Sequence, residues 1–406
     1  MRIIGVNKNF DVTVNLVGSK SESNRVLMIG YYGGFTPRIT NLSESDDTKL
    51  LKEILDSLNA HKAIKGIDCQ NAGTVLRFIT TALAFREGEW ILTGSDRMLQ
   101  RPVGDLVDAL RTIGADIKYA GQEGFPPLLI HGKHHVETQN FASLPIHVDI
   151  TRSSQFASSI LLALPSVETG RCPSPETDLH PSLRLDGDLS SVPYIDMTID
   201  VMRKFGIDVH REGRDVFVKP SEYQNVEYIV ESDWTCASYW YEIVALSEHG
   251  RARLRNLRLD STQGDAIVAK WFENFGVQSV QDGNDIIIGK NQSIFPNDLS
   301  FDFIDNPDLY PTIAAACVGL GIEGRFTGLR NLKHKESDRV AAMTAELSRV
   351  ETGRCPSHIF DSHNDHRIAM ALAPLAMKIG AIEINNADVV SKSYPNFWEE
   401  FNSILK

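Results

Sequence analysis

Cysteine is scarce in this chain and is not clustered. The 406 residues include 5 cysteines, none of them in a C-x-x-C pair: Cys69, Cys172, Cys236, Cys317 and Cys355. A disulfide framework or a structural zinc site requires paired or clustered cysteines. We therefore expect neither of these features, and the reducing cytoplasm is the expected location.

Long apolar runs and net positive charge are also missing. No run approaches the ~20 apolar residues that span a bilayer, and the first residues lack a secretory-signal pattern, so we expect no membrane association.

Lys and Arg number 41 against 53 Asp and Glu, which gives a formal net charge of −12. Nucleic-acid phosphates need clustered positive charge, so a nucleic-acid partner is not expected. Small anions fit this composition only if the basic residues are concentrated at one place.

Several common catalytic signatures are absent as well. The chain has neither the G-x-x-x-x-G-K-[ST] loop that holds nucleotide phosphates nor the G-x-S-x-G of serine hydrolases. His134 with His135, and His363 with His366, come without a second cluster of metal ligands. We expect no metal and no cofactor.

What the chain does contain is a repeated design. Six segments begin with polar or glycine residues and continue as a mostly apolar stretch of helical length, which is typical of a buried helix. They start at Gly18, Asn71, Thr151, Asp233, Asn306 and Asn364. Six further segments alternate with them and repeat apolar residues at i, i+3, i+4 and i+7, as amphipathic helices do. They start at Ser45, Val103, Tyr194, Gly264, Glu336 and Tyr394.

Glycines and short β-branched runs separate these helices. Gly114, Gly206 and Gly276 are predicted to end an amphipathic helix ahead of a strand, and runs such as DVFVKP and DIIIGK are typical of strands. The pattern predicts an α/β protein built from six copies of one unit. The length favours two domains of three units each.

The starts of the buried helices give an acidic protein a way to bind anions, because a helix N-terminus carries unpaired N–H groups and partial positive charge. Basic residues lie at or near these starts: Lys20, Arg25, Arg77, Arg101, Lys335, Arg339, Arg367 and Lys392. Each also has an ordinary structural interpretation. GSKS and SSQ are typical helix caps, Arg101 fits a solvated loop, and KESDR fits surface charge pairing.

The order of the motifs along the chain is more specific than any one of them. From residue 18 to residue 398 the chain contains in turn GSKSESNR, SDD, NAGTVLR, LTGSDRMLQRP, SSQF, PYIDMT, STQGD, HKESDR, NDHRIAMA and KSYPNFW. This series resembles the 5-enolpyruvylshikimate-3-phosphate (EPSP) synthase family over nearly the whole chain.

The resemblance implies a particular α/β fold. It has two similar domains arranged as an inside-out α/β prism, with three βαβαββ units in each domain and six repeats in all. One domain would be discontinuous, holding residues 1–18 and 232–406, and the other would hold residues 19–231. The active site would lie in the cleft between them, and we expect a monomer.

The resemblance also implies a reaction of the shikimate pathway of aromatic amino-acid biosynthesis. The family transfers the enolpyruvyl group of phosphoenolpyruvate to the 5-hydroxyl of shikimate 3-phosphate and releases phosphate. Two phosphates and two carboxylates must be held, for which Lys and Arg are suited. A base must take the hydroxyl proton, and an acid must protonate the methylene carbon.

The family's site residues carry over by position. Shikimate 3-phosphate would contact Lys20, Ser21, Arg25, Ser153, Ser154, Gln155, Ser191, Tyr194, Asp308, Asn331 and Lys335. Phosphoenolpyruvate would contact Lys20, Gly73, Arg101, Gln155, Arg339, His366, Arg367 and Lys392.

The resemblance also implies three catalytic candidates. Asp308 is the expected base, and Glu336 is the favoured proton donor to carbon, with Lys20 as its competitor. Gly73 would keep a side chain out of the enolpyruvyl pocket, where the backbone approaches closely. Glyphosate is therefore an expected inhibitor.

The chain departs from the family pattern in places, and two other functions are disfavoured by its motifs. Cys236 replaces a usual serine, and LYP at 309–311 replaces small residues after Asp308, which can alter the helix start there. A related transferase that acts on UDP-N-acetylglucosamine is disfavoured because SDRMLQRPVGD contains Arg101 and no cysteine. A non-catalytic binding protein is disfavoured because the catalytic residue types are all present. The octapeptide VETGRCPS, which occurs at 167–174 and again at 350–357, has no physical explanation.

Overall fold

The computed structural model describes residues 1–3, 6–60, 65–133, 145–166, 182–291, 295–351 and 358–405. The chain forms two compact units. The first unit contains Met1–Lys20, Asn41–Asp46 and Val230–Lys406, and the second contains Ser21–Thr40 and Asp47–Ile229. The pair His134 and His135, residues 167–174 and most of the second octapeptide copy lie outside the described residues. The domain limits expected from the sequence stay a prediction.

The helices and strands alternate along the chain. The strands are β1 (Arg2–Ile3), β2 (Asn9–Val14), β3 (Arg38–Thr40), β4 (Gly66–Asp68), β5 (Gly88–Thr93), β6 (Asp116–Tyr119), β7 (Leu128–Gly132), β8 (Ile146–Asp149), β9 (Ser182–Asp186), β10 (Val209–Glu212), β11 (Asp215–Val218), β12 (Glu227–Ile229), β13 (His249–Leu254), β14 (Val277–Asp282), β15 (Asp285–Lys290), β16 (Asp298–Asp302), β17 (Glu323–Thr327), β18 (Ile359–Asp361) and β19 (Ile382–Asn385). The α-helices are α1 (Lys20–Tyr32), α2 (Asp46–Asn59), α3 (Gly73–Ala84), α4 (Gly104–Thr112), α5 (Gln155–Ala163), α6 (Val192–Lys204), α7 (Trp234–Leu246), α8 (Val268–Trp271), α9 (Tyr310–Leu320), α10 (Arg339–Glu351), α11 (His366–Leu372), α12 (Ala376–Ile379) and α13 (Phe397–Asn402). The predicted α/β class is confirmed.

Within the described residues, each unit has three sheets, and each sheet contains one pair of parallel strands. In the first unit the parallel pairs are β2 with β13, β16 with β17, and β18 with β19. In the second unit they are β3 with β12, β4 with β5, and β8 with β9. Parallel neighbours need a crossover, usually through a helix, and α3, α5, α9 and α11 lie between consecutive members of four pairs.

Three of the sheets share the same four-stranded order. The orders are β4-β5-β7-β6, β8-β9-β11-β10 and β2-β13-β15-β14, each with one parallel pair followed by an antiparallel hairpin. In the first two of these sheets the chain runs strand, helix, strand, helix, strand, strand, which is the expected βαβαββ order. The complete prism of six repeats stays a prediction.

The buried helices lie where the apolar segments predicted them. They are α1, α3, α5, α7, α9 and α11, and every residue of α7 is buried. In the second unit α3 packs on α5, and in the first unit α9 packs on both α7 and α11. A helix that is apolar on most faces is stable only when neighbours cover it on all sides, which is why these helices form the two cores.

The predicted amphipathic segments also form helices, with local differences. Gly114, Gly206 and Gly276 adopt left-handed φ values of 93°, 87° and 75° and end their helices as predicted. The segment from Gly264 is less regular, because α8 lies between two 3-10 turns. Among the described residues, no helix is long and apolar enough to cross a bilayer.

Candidate active site

Arg339 organises a buried charge cluster in the first unit. It lies at the start of α10 with 1% of its surface exposed. Its Nη1 donates to Asp308 Oδ1 at 2.7 Å, its Nη2 to Glu336 Oε2 at 2.8 Å, and its Nε to Asp365 Oδ2 at 2.8 Å. The alternative interpretation of KESDR as surface charge pairing is therefore wrong for Arg339, because the pairing is buried and involves three carboxylates.

Asp308 is the carboxylate that contacts the most cations in this cluster. Its Oδ1 lies 2.7 Å from Arg339 Nη1 and 3.5 Å from Lys335 Nζ, and its Oδ2 accepts from Arg367 Nη2 at 2.9 Å. Burial alone would raise the pKa of Asp308, but Arg367, Lys335 and Arg339 together hold it well below the ordinary value. Asp308 is thus ionised, as a base must be before it accepts a proton.

Asp308 sits in a 3-10 turn rather than at the first residue of a helix. The turn covers Pro307–Leu309 and leads directly into α9 at Tyr310. Pro311 then occupies the second position of that helix, where its missing N–H removes no hydrogen bond. The residues that depart from the family pattern therefore still form a regular helix start.

Glu336 lies between two cations. Besides Arg339, its Oε1 is 3.5 Å from Lys392 Nζ, and only 10% of the Lys392 side chain is exposed. Asn331 and Lys335 lie on the same stretch as Glu336, in and just after a 3-10 helix that covers Arg330–His334.

Asp365 links Arg339 to the start of α11. Its Oδ1 accepts from the backbone N–H of Arg367 at 3.0 Å, so that it caps the helix, and its Oδ2 accepts from Ser337 Oγ at 3.1 Å as well as from Arg339 Nε. Burial would lower the pKa of Arg339, but Asp365, Glu336 and Asp308 raise it above the ordinary value. Asp365 thereby holds Arg339 charged and correctly oriented.

His366 is an uncharged side chain among these charges. Burial, together with Lys20 and Arg367 nearby, lowers the pKa of His366 well below its usual range. Neither ring nitrogen makes a hydrogen bond to another described residue. Lys20 is fixed through its backbone N–H, which donates to Asp233 Oδ2 at 3.2 Å. The predicted residues of the first unit therefore lie near one another, with five cations (Lys20, Lys335, Arg339, Arg367 and Lys392) beside three carboxylates.

The second unit contains a separate polar cluster around Arg25, whose side chain is buried. Its guanidinium donates to Thr198 Oγ1 at 2.8 Å, Ser158 Oγ at 3.1 Å, Tyr194 O at 2.9 Å and Ser21 O at 2.8 Å. Burial lowers the pKa of Arg25 to about 10, so it stays charged near neutral pH. Because a guanidinium has five N–H groups, at most one is left for a ligand, and Arg25 also fixes α1, α5 and α6 relative to one another.

A second polar group of the same unit surrounds Gln155, the first residue of α5. Its Nε2 donates to Thr74 Oγ1 at 2.6 Å, and its Oε1 accepts from Arg77 Nη1 at 3.0 Å. Both ends of the amide are therefore held, and the first turns of α3 and α5 are joined. Their N-terminal N–H groups consequently lie close together, which is favourable for an anion.

Gly73 lies against two guanidinium groups. A Cβ added to Gly73 would lie 2.6 Å from Arg101 Nη2 and 2.6 Å from Arg77 Nη1. The absence of a side chain thus lets both arginines pack on the start of α3. Ser153 and Ser154 precede Gln155, and Ser191 precedes α6, which carries Tyr194.

Sequence reasoning missed the residues that orient this site. The sequence indicates Arg77 only as one of the basic residues near a helix start, and it assigns no role to Asp365, Asp233, Thr74 and Thr198. One signal was available, because Asp immediately before a helical segment is a common N-cap, which both Asp233 and Asp365 are. The remaining partners are far apart in the sequence and come together only in the fold.

The family model of EPSP synthase (3-phosphoshikimate 1-carboxyvinyltransferase) matches residues 6–401. The chain belongs to this family. A 3-phosphoshikimate 1-carboxyvinyltransferase of Bacteroides fragilis strain YCH46 is 36% identical over 96% of this chain and 94% of the relative. One from Methanospirillum hungatei is 33% identical over 95% of this chain and 94% of the relative. The resemblance seen in the motifs is confirmed.

Solved structures agree with the fold of this EPSP synthase family member. The EPSP synthase of Acinetobacter baumannii has a TM-score of 0.73 at 21% identity, covering 99% of this chain and 97% of that one. The enolpyruvyl transferase NikO of Streptomyces tendae has a TM-score of 0.68 at 16% identity, covering 99% and 96%. Within the described part of the chain, no group of three or more His, Cys, Asp and Glu side chains is placed to hold a metal ion.

Proposed function

We propose that this chain transfers the enolpyruvyl group of phosphoenolpyruvate to the 5-hydroxyl of shikimate 3-phosphate and releases phosphate. The family match over residues 6–401 is the observation that carries the proposal. The cluster around Asp308 supports it, since the substrates are anions and the cluster combines five cations with an ionised base.

Asp308 acts as the base at the 5-hydroxyl. It is ionised because Arg367, Lys335 and Arg339 lower its pKa. The same cations weaken its affinity for a proton, so its basicity must rise when they turn to the anionic groups of the substrates. Each cation that binds a phosphate or carboxylate oxygen of a substrate then lowers the pKa of Asp308 less. Asp308 is therefore a stronger base once the substrates are bound.

Glu336 donates the proton to the methylene carbon, with Lys20 as the competing donor. The contacts of Glu336 with Arg339 and Lys392 favour its charged form in the absence of substrates. It can hold a proton only after these two cations have turned to phosphoenolpyruvate. Lys20 and Arg367 both lie close enough to His366 to lower its pKa.

The two substrates share Lys20 and Gln155 and otherwise use different residues, with Asp308 at shikimate 3-phosphate. Shikimate 3-phosphate binds through Ser21, Arg25, Ser153, Ser154, Ser191 and Tyr194, with Lys335 and Asn331. Phosphoenolpyruvate binds through Gly73, Arg101, Gln155, Arg339, Arg367 and Lys392, with uncharged His366 as a hydrogen-bonding group for its phosphate. Bidentate arginines suit both its carboxylate and its phosphate.

Two further expectations belong to this proposal. Glyphosate competes with phosphoenolpyruvate at the residues around Gly73, and the enzyme works as a monomer in the cytoplasm. The predicted domain limits, 1–18 with 232–406 and 19–231, also stay part of the proposal.

The test is phosphate release by the purified full chain. We expect release when shikimate 3-phosphate and phosphoenolpyruvate are both present, and none with either alone. Release with UDP-N-acetylglucosamine and phosphoenolpyruvate, but not with shikimate 3-phosphate, would overturn the proposal. Binding of shikimate 3-phosphate without any release would indicate a non-catalytic binding protein.

A further inference from the structure

Asp265 is a buried carboxylate beside the proposed base, and no role has been assigned to it. It belongs to the STQGD motif and lies in the 3-10 turn Gly264–Ile267, with 4% of its surface exposed. Its Oδ2 accepts a hydrogen bond from Thr235 Oγ1, and its Oδ1 accepts from Asn306 Nδ2 at 3.2 Å. Each oxygen therefore has one donor, and the two donors come from different parts of the first unit.

Through these two hydrogen bonds, Asp265 connects α7 to the start of the turn that carries Asp308. Asn306 is the cap residue of that turn, and its backbone oxygen accepts from Leu309 N at 3.1 Å. Thr235 lies in the first turn of α7, whose cap Asp233 also holds the backbone of Lys20. Asp265 thus connects the Asp308 turn to a helix start whose position is set independently.

Asp265 also interacts with Asp308 through its charge. The charged groups that face it are Asp308, on the turn it fixes, and Arg367, on α11, while its contacts from α7 and from Asn306 are uncharged. Burial and Asp308 raise the pKa of Asp265 to about 6, against the lowering by Thr235, Arg367 and Asn306. Its charge therefore changes in the range where enzymes of this kind are assayed.

We propose that Asp265 is a positioning residue that fixes the Asn306–Asp308 turn and, when ionised, strengthens Asp308 as a base. A negative charge close to a carboxylate increases the affinity of that carboxylate for a proton. Removing that charge weakens the base and slows the step in which the hydroxyl proton is taken. This inference rests on the proposed function, because it concerns Asp308 in that reaction.

The experiment compares kcat from pH 5 to pH 8 in the full-length wild type and three variants. In the wild type, kcat should fall as pH drops through about 6, because Asp265 takes up a proton and loses its charge. Asp265→Asn keeps the shape but has no charge; its amide oxygen can still accept from Asn306 Nδ2, and its NH2 can donate to Thr235 Oγ1, which reverses that hydrogen bond. Its kcat at pH 8 should be lower by about tenfold, the size of one pKa unit, and should not fall between pH 7 and pH 5.

Thr235→Val supplies a second, directional readout. It removes the donor to Asp265 Oδ2, so the pKa of Asp265 should rise and the fall in kcat should begin at higher pH. Asp260→Asn is the matched control, because this exposed residue pairs with Arg258 in the preceding loop and loses the same charge. Its pH profile should equal that of the wild type.

Two results would overturn the inference. One is an Asp265→Asn enzyme with the kcat and pH profile of the wild type. The other is a fall in kcat that stays at the same pH in both Asp265→Asn and Thr235→Val. Failure of the wild type itself to release phosphate from the two substrates would instead contradict the proposed function, so the two failures are distinguishable.

Discussion

At the scale of single residues, the buried carboxylates of the first unit differ in whether they have partners. Asp308, Glu336 and Asp365 all contact Arg339. Glu242, in the middle of α7, is fully buried, and neither of its carboxylate oxygens makes a hydrogen bond in the described part of the chain. A buried carboxylate without a partner is held in its protonated form.

Glu242 should make the first unit less stable as pH rises. Burial raises the pKa of Glu242 well above its ordinary value, so the folded state holds a proton that the unfolded state releases. Stability is therefore complete below the unfolded pKa and is lost as pH rises towards the folded pKa, by roughly 1.4 kcal/mol per pH unit. Glu242→Gln removes this dependence and should be the more stable protein at pH 8.

Urea unfolding of the full chain at pH 5 and pH 8 checks this prediction. The advantage of Glu242→Gln over wild type should grow between the two pH values. The control is Glu248→Gln, because Glu248 is exposed just beyond the same helix and pairs with Lys8 only at 3.8 Å. An unchanged difference between wild type and Glu242→Gln at both pH values would show that Glu242 is not protonated.

Asp308 should be needed for turnover and should also contribute to stability. Asp308→Asn removes the proton acceptor, and kcat should fall by about 10²- to 10⁴-fold, the usual contribution of a general base. The free energy of unfolding should also fall, by about 3 kcal/mol, because the variant removes the carboxylate that pairs with Lys335, Arg339 and Arg367. The measurement is single-turnover phosphate release beside calorimetric binding of shikimate 3-phosphate. A near-normal kcat would refute the role as base.

At the scale of elements, several of the candidate site residues lie on the first turns of buried helices. In the second unit, α3 and α5 meet through Thr74, Gln155 and Arg77, and Gly73 lets two guanidinium groups lie on the start of α3. The position of the arginines depends on the missing Cβ. A methyl group there must push at least one of them aside.

Gly73→Ala should therefore weaken phosphoenolpyruvate binding as well as glyphosate inhibition. We expect KM for phosphoenolpyruvate to rise by about tenfold, which corresponds to roughly 1.4 kcal/mol, and the inhibition constant of glyphosate to rise further. Steady-state kinetics on both ligands is the measurement. Gly66→Ala is the matched control, because nothing lies within 4 Å of a Cβ at Gly66. Unchanged KM and inhibition in Gly73→Ala would mean that Gly73 does not lie at the phosphoenolpyruvate site.

The elements themselves could be predicted from the sequence, but many contacts between them could not. The apolar segments at Asn71 and Asp233 became α3 and α7, and the glycines 114, 206 and 276 ended helices, because period and turn chemistry are local. The 3-10 turn at Pro307–Leu309 was missed, since a proline-containing start fits either kind of helix. Arg77 and Gln155 are 78 positions apart, and Arg25 and Thr198 are 173 positions apart. Because local sequence patterns extend over only a few residues, they do not predict contacts between such distant positions.

At the scale of the whole molecule, the acidic composition conceals a local concentration of cations. The net charge is −12, yet five cations are gathered around Asp308, where Glu336, Asp365, Asp265 and Asp233 lie among them. The composition disfavours nucleic acid as a partner class, and the ordered motifs indicate small phosphorylated substrates. The identity of the substrates is implied by the family resemblance. The basic residues near the helix starts indicate only that the protein binds anions.

The full chain should be stabilised selectively by shikimate 3-phosphate. A ligand that binds only the native state adds about 2.7 kcal/mol at a concentration of 100 Kd, and Tm should rise by roughly 5–10 °C for units of about 200 residues. Differential scanning fluorimetry with shikimate 3-phosphate, and in parallel with UDP-N-acetylglucosamine at equal concentration, is the measurement. The first ligand should raise Tm and the second should not.

The variant Tyr194→Phe tests whether this stabilisation reflects specific binding of shikimate 3-phosphate. The alternative is that any anion stabilises a protein that has buried cations. Tyr194→Phe keeps the backbone oxygen that accepts from Arg25 Nη2 at 2.9 Å, and it removes only the hydroxyl that is proposed to contact the substrate. Its Tm shift with shikimate 3-phosphate, taken from its own ligand-free Tm, should be smaller than that of the wild type because the affinity is lower. An equal shift for UDP-N-acetylglucosamine, or for inorganic phosphate at the same concentration, would contradict selective recognition, because a nonspecific anion would then account for the whole stabilisation.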